Sequence, residues 1–227
     1  MLKALSVAAL VGSVVVGAAS DHVPTRVPAV WSGVRSELSL AVSQPAAQAA
    51  VRYVTTGAGN KARYRVRERL VGKELDNDAI GETPEVTGTI ALDKTGRVLA
   101  TESSFAAVVT GLVSDQTRRD RYVRARILKT DSFPTTTFKA TEVRGLSTAL
   151  PKSGKVTFQL IGDLTVKGVT RPSTWTVTAT VNGDQLTGQA ATRFTFKEFS
   201  LLQPRVPVVM SVADTIGLEY DFVMVKR

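Results

Sequence analysis

The chain has 227 residues, 43% of them hydrophobic, with a formal net charge of +9 and a pI near 10.0, enough apolar content for one well-buried domain. It has no cysteine and a single histidine, His22, which excludes a disulfide framework, thiol chemistry, a Ser-His-Asp triad and a His-rich metal site in the domain. The basic balance favours anionic partners, phospholipid headgroups or nucleic acid.

The apolar run Ala4 to Ala19 follows Met1-Leu2-Lys3 and closes on Ala18-Ala19-Ser20. One charge, a short apolar stretch and a small-residue exit predict a secretory signal peptide over 1–20. The run falls short of the roughly 20 residues that span a bilayer. The mature protein is expected to begin near Asp21, after cleavage near Ser20, and to be secreted or periplasmic. Export argues against nucleic acid as a partner, and no motif interleaves aromatics with the basic residues. Residues 21–46 carry Pro24, Pro28 and Pro45 and read as a linker, with a short helix over 36–42. The domain is expected over 47–227.

From Ala49 the pattern has period two, the mark of strands with one buried face. Arg63–Leu70 sets Tyr64, Val66, Glu68 and Leu70 against Arg63, Arg65, Arg67 and Arg69. Val86, Ile90 and Leu92 share a face around Gly88, and Phe105, Ala107 and Val109 share another. Val156, Phe158, Leu160, Gly162, Leu164 and Val166 alternate strictly. Trp175, Val177, Ala179 and Val181 oppose four threonines. Ala190, Thr192, Phe194 and Phe196 follow, then Ile216, Leu218, Tyr220, Phe222 and Met224. Turn residues separate the runs at Asp93–Gly96, Lys152–Gly154 and Asn182–Asp184.

One segment breaks the period. Ser114 to Lys129 opens on a Ser-Asp cap, lacks Gly and Pro, and predicts a short surface helix stopped before Pro134. Its spacing predicts an Asp120–Arg124 pair. Glu68, on an apolar face, is expected at the strand's rim facing water unless a cation or a ligand headgroup meets it there. The four alternating arginines are expected on a solvated outer face, where anionic lipid could also touch them.

About eight strands with one inserted helix can form a sandwich or a barrel. The outward faces carry Arg, Lys, Thr, Glu and Asp, not the lipid-facing apolar band of a membrane barrel. Eight strands closed on themselves leave an interior that side chains fill or that holds one small ligand. No Gly-rich phosphate loop or nucleophile elbow occurs. No catalytic residue, metal ligand or cofactor is expected.

The second half carries a resemblance. Ser114-Asp115 with Arg119-Asp120, then Asp131-Ser132-Phe133-Pro134-Thr135-Thr136-Thr137-Phe138, resembles the helix and FP-x-x-x-F stretch of YceI-like proteins. The run from Gly162 through Asp163-Leu164-Thr165-Val166-Lys167-Gly168-Val169-Thr170-Arg171 to Pro172 resembles that family's G-x-L-T-x-x-G-V-T-[KR]-P strand–turn–strand. Phe194-x-Phe196 with Phe199, and Val212-Ala213-Asp214, are similar to the family's end. The early histidine that many relatives carry in a D-x-x-H-S segment is missing.

The resemblance implies an all-β, eight-stranded antiparallel lipocalin-like barrel with an inserted short helix and an elongated apolar tunnel. It also implies export and a polyprenyl or fatty-acyl ligand. The tunnel would be lined by the inward residues Tyr64, Val66, Phe105, Phe158, Leu160, Leu164, Trp175, Val177, Ala179, Phe194, Phe196, Ile216, Leu218, Tyr220 and Phe222. The expected function is to bind and carry a long isoprenoid or acyl lipid, with transient contact at an anionic membrane surface. Two other readings stay open: a non-catalytic exported barrel with a filled core acting through its basic surface, and an enzyme acting on prenyl lipids by carboxylate chemistry.

Overall fold

The computed structural model describes residues 51–72, 74–146, 150–207 and 209–227. The expected signal segment, linker and linker helix lie outside the described residues. Eleven strand segments follow in order: β1 Val51–Thr55, β2 Lys61–Leu70, β3 Asn77–Thr83, β4 Val86–Leu92, β5 Ser104–Val108, β6 Val113–Ser114, β7 Thr135–Arg144, β8 Ser153–Val166, β9 Val169–Asn182, β10 Gln185–Thr195 and β11 Val209–Lys226. Every pairing is antiparallel. β1 pairs with both β4 and β11, closing the ring β1-β4-β5-β7-β8-β9-β10-β11.

β2, β3 and β6 continue β1, β4 and β5 beyond a break. β2 runs along β11 from Asp221 to Val209, β3 along β2, and β6 along β3. The eleven segments thus make eight strands in an up-and-down barrel, as the resemblance implied. Closure leaves β1 and β11 no free edge in the ring.

The breaks have local causes. Pro84, between β3 and β4, has no N–H to give the ladder. Between β1 and β2 the buried Asn60 takes over the missing bonds. Its amide donates to the Thr56 carbonyl at 2.7 Å, and its Oδ1 accepts from Tyr220 Oη at 2.8 Å and the Val223 N–H at 3.3 Å. β8 turns into β9 through Lys167 and Gly168, both at positive φ, the two-residue turn whose twist suits a hairpin. At the other end Asp93, buried, accepts from the Thr95 N–H and hydroxyl and from the Arg97 N–H and Nε. Those bonds hold its carboxyl well below the usual range.

The inserted helix is shorter than its sequence pattern. α1 spans Thr117–Tyr122, runs on in wider π-type turns over Val123–Leu128, and ends at Lys129 in the left-handed region. Ser114 is not its cap. It pairs in β6, and its N–H and hydroxyl donate to the Asp120 carboxylate at 2.8 and 2.6 Å. The expected Asp120–Arg124 pair is therefore replaced. Arg124 instead donates to the carbonyls of Thr110 and Leu112 at 3.4 and 3.3 Å.

On the outer face the arginines of β2 meet carboxylates on both neighbouring strands. Arg63 and Arg65 reach Glu219 at 3.3 and 2.9 Å, Arg63 also reaches Asp221, and Arg65 and Arg67 share Asp78 at 3.1 and 3.2 Å. The bond from Arg65 holds the Glu219 carboxyl below its ordinary value. A depressed carboxylate pKa adds stability above the ordinary Glu range, lost as pH falls through the folded value. Glu219→Gln should therefore cost about 1 kcal/mol near neutral pH. Denaturant midpoints measured at stepwise lower pH should show the gap to the parent shrinking through the acid range.

Candidate functional site

The alternation of the strands puts their apolar sides inward, and the interior they enclose is not filled. A cavity of about 900 Å³ runs along the barrel. Fourteen of the fifteen expected lining residues border it: Tyr64, Val66, Phe105, Phe158, Leu160, Leu164, Trp175, Val177, Phe194, Phe196, Ile216, Leu218, Tyr220 and Phe222. Ala179 does not. It is 1% exposed and lies opposite Gly188, over which the Phe222 ring is laid. There the wall closes on itself.

Four glycines explain how so many aromatic residues leave an open interior. Gly81 is opposite Tyr64, Gly88 opposite Phe105, Gly188 opposite Phe222, and Gly162 opposite Ala140, two residues from Phe138. A Cβ at these positions would stand 2.7 Å from Tyr64 Cζ, 2.8 Å from Phe105 Cγ, 2.9 Å from Phe222 Cζ and 2.8 Å from Phe138 Cζ. Each ring therefore lies against a neighbouring strand's bare Cα and does not project across the lumen.

The cavity opens at the α1 end. The exposed residues Val71, Asn77, Asp115, Gln116, Arg118 and Pro207 border it there. Sequence periodicity missed this rim, because α1 and residues 196–207 have no period-two pattern and reach the cavity only through the fold. Val123 and Ile127 of the helix are buried over it. Phe138 is also a lining residue; the FP-x-x-x-F spacing was the available signal for it.

Glu68 corrects the expectation of a water-facing rim. Its side chain is 8% exposed and accepts from Arg119 Nη2 at 2.6 Å, and Arg119, 16% exposed, also holds Asp115. The pair ties α1 to β2 across the rim. A carboxylate buried here without the guanidinium would be costly. Two buried donors in the wall, Tyr64 Oη and Trp175 Nε1, have no hydrogen-bond partner among the described residues. Burial pushes the Tyr64 hydroxyl up to about 12, so it stays protonated as a donor. The three carboxylates bordering the cavity, Glu68, Asp115 and Glu219, are each engaged by arginine.

The YceI-like domain family matches residues 53–224. Among solved structures the chain is similar to that of BcnA from Burkholderia cenocepacia, at 15% identity and TM-score 0.55 over 74% of this chain and 98% of that one. It is also similar to the structure of a polyisoprenoid binding domain from Saccharophagus degradans implicated in plant cell wall breakdown, at 9% identity and TM-score 0.60 over 77% and 98%. At such identities the likeness is one of fold. A comparison with curated protein sequences gave no match.

Two alanines distinguish wall from cavity. Ala107 borders the cavity and Ala179 does not. Ala179→Trp should overpack the closed wall and cost about 1–3 kcal/mol or more. Ala107→Trp should leave the thermal midpoint of delipidated protein within a few degrees of the parent while lowering bound lipid per chain. Measured midpoints and lipid stoichiometry that treat the two alike would contradict this placement.

Proposed function

The chain belongs to the YceI-like domain family, and from that premise we propose that it binds one long apolar lipid, of polyisoprenoid or fatty-acyl type, in the barrel cavity and carries it outside the cytoplasm. The observation that carries the reading is the cavity's size combined with its lining. About 900 Å³ is at the upper end of the roughly 300–1,000 Å³ of small-molecule pockets. At the rate found for small engineered cavities, a dry void of that volume would cost on the order of 20 kcal/mol, more than a domain's whole stability. Such an interior is sustainable only with an occupant or with water. An apolar wall is a poor host for water.

A lipid chain has the complementary problem. Each exposed CH₂ costs about 0.8 kcal/mol in water, so ten carbons cost roughly 8 kcal/mol. The cavity lined by Phe158, Leu160, Leu164, Val177 and Ile216 relieves both costs together. Carriage fits this cavity better than chemistry, since each bordering carboxylate is already ion-paired to an arginine. The name of the Saccharophagus domain points to the same ligand class. The extracytoplasmic setting rests on Lys3, the apolar run and the Ala-Ala-Ser exit.

Protein purified without detergent should release a long, unsaturated apolar chain on organic extraction, identified by mass spectrometry. Stripped protein should take up added prenyl lipid at roughly one per barrel. A clean extract together with no uptake would overturn the reading. Gly88→Val should swing the Phe105 ring into the lumen and reduce uptake severalfold. On exported protein, intact mass should place the N-terminus near Asp21; a retained Met1 would remove the support for export.

A further inference from the structure

The two kinds of arginine on this barrel differ in one respect. Along β2, Arg63, Arg65, Arg67 and Arg69 each lie within 4 Å of a carboxylate. On the outer side of the helical segment over the cavity mouth, Arg118, Arg121, Arg126 and Lys129 are exposed and form no ion pair among the described residues. Thr117 to Asp131 holds six cations and two carboxylates, and one of those, Asp120, is turned inward on Ser114. The positive charge here is unspent within the fold.

The large apolar side chains left exposed among the described residues are at the same end. They are Leu75 at 82%, Met210 at 65%, Val71 at 60%, Leu202 at 55% and Val113 at 48%. Val71 and Leu75 are in the β2–β3 turn, Leu202 in the β10–β11 loop, Met210 beside Leu70 on β11, and Val113 just before α1. Single exposed apolar residues need no explanation, but five gathered on one end around a cavity mouth mark an interaction surface.

We propose that the mouth end of the barrel docks on an anionic phospholipid bilayer, with Arg118, Arg121 and Arg126 on the headgroup phosphates and Leu75, Met210 and Val71 in the interfacial layer. This rests on the lipid-binding reading for its purpose, because docking there sets the cavity opening against the source of the chain. A bilayer offers continuous negative charge over a continuous apolar layer, matching both halves of the surface. The chain could then leave the membrane and enter the barrel without crossing water.

The test is flotation of the full chain with phosphatidylcholine vesicles, with and without phosphatidylglycerol. Each cation near an anionic surface strengthens binding about fivefold. The double variant Arg121→Gln, Arg126→Gln, which leaves the cavity border untouched, should therefore bind phosphatidylglycerol vesicles roughly 25-fold more weakly, and added salt should weaken the parent toward it. The same two positions changed to Lys should retain most binding. Leu75→Ser with Met210→Ser should lower binding to both kinds of vesicle. The N-terminal apolar run is common to every variant, so the differences report the barrel alone.

Uptake of prenyl lipid delivered from micelles separates this proposal from the cavity reading. An arginine variant that fills normally from micelles but floats poorly supports docking. A parent that floats through its arginines yet takes up no chain from any source sinks the cavity reading and leaves the docking surface standing. Equal flotation of parent and Gln variant overturns the proposal. So does a parent that ignores headgroup charge, or one that buries Leu75 and Met210 in a dimer and binds no vesicle.

Discussion

The structure depends on keeping an apolar interior open. An ordinary domain gains its stability by filling its core, yet here four aromatic rings, Tyr64, Phe105, Phe138 and Phe222, lie against the wall over a glycine of a neighbouring strand. Gly81, Gly88, Gly162 and Gly188 give up side-chain contacts of their own and, in return, let the rings bury against backbone. The apolar surface facing the lumen is then a feature the fold maintains, and the proposed long apolar ligand would complete it.

With no filled core and no disulfide, the wall must be held by its own bonds. Closure through β1 and β11 removes the free edges of the ring of eight. Asn60 supplies hydrogen bonds where the first strand breaks, and Asp93 gathers the far turn. On the outside, Glu219, Asp78 and Asp221 receive the arginines of β2. Exposed pairs of this kind are individually weak, but they share partners across three adjacent strands and so brace the segment of wall that extends toward the mouth.

At that mouth the electrostatics change character. Glu68 and Arg119 form a buried pair that joins α1 to the barrel. Asp120 joins the same helix to β6 through Ser114. The helix is thereby fixed with Val123 and Ile127 over the cavity and its remaining cations outward. One element therefore both borders the opening and presents charge beside it, the arrangement on which the docking proposal rests.

The sequence by itself determined the inward and outward faces of nearly every strand, because period two is a property of the extended backbone and needs no partner. Fourteen of the fifteen residues expected on the lining border the cavity, while the motif resemblance, not the period, marked the Lys167–Gly168 turn region and the family. Periodicity could not separate a residue on the cavity from one inside the wall. Ala179 and Ala107 have the same pattern, and only the ring of Phe222 lying over Gly188 beside Ala179 tells them apart. Nor could it pair charges. Asp120 had Arg124 at helical spacing, but the backbone amide and hydroxyl of Ser114 meet its carboxylate first. Glu68 found Arg119 fifty-one residues away. Contacts made across the fold depend on which strands become neighbours, and that was decided only when the sheet closed.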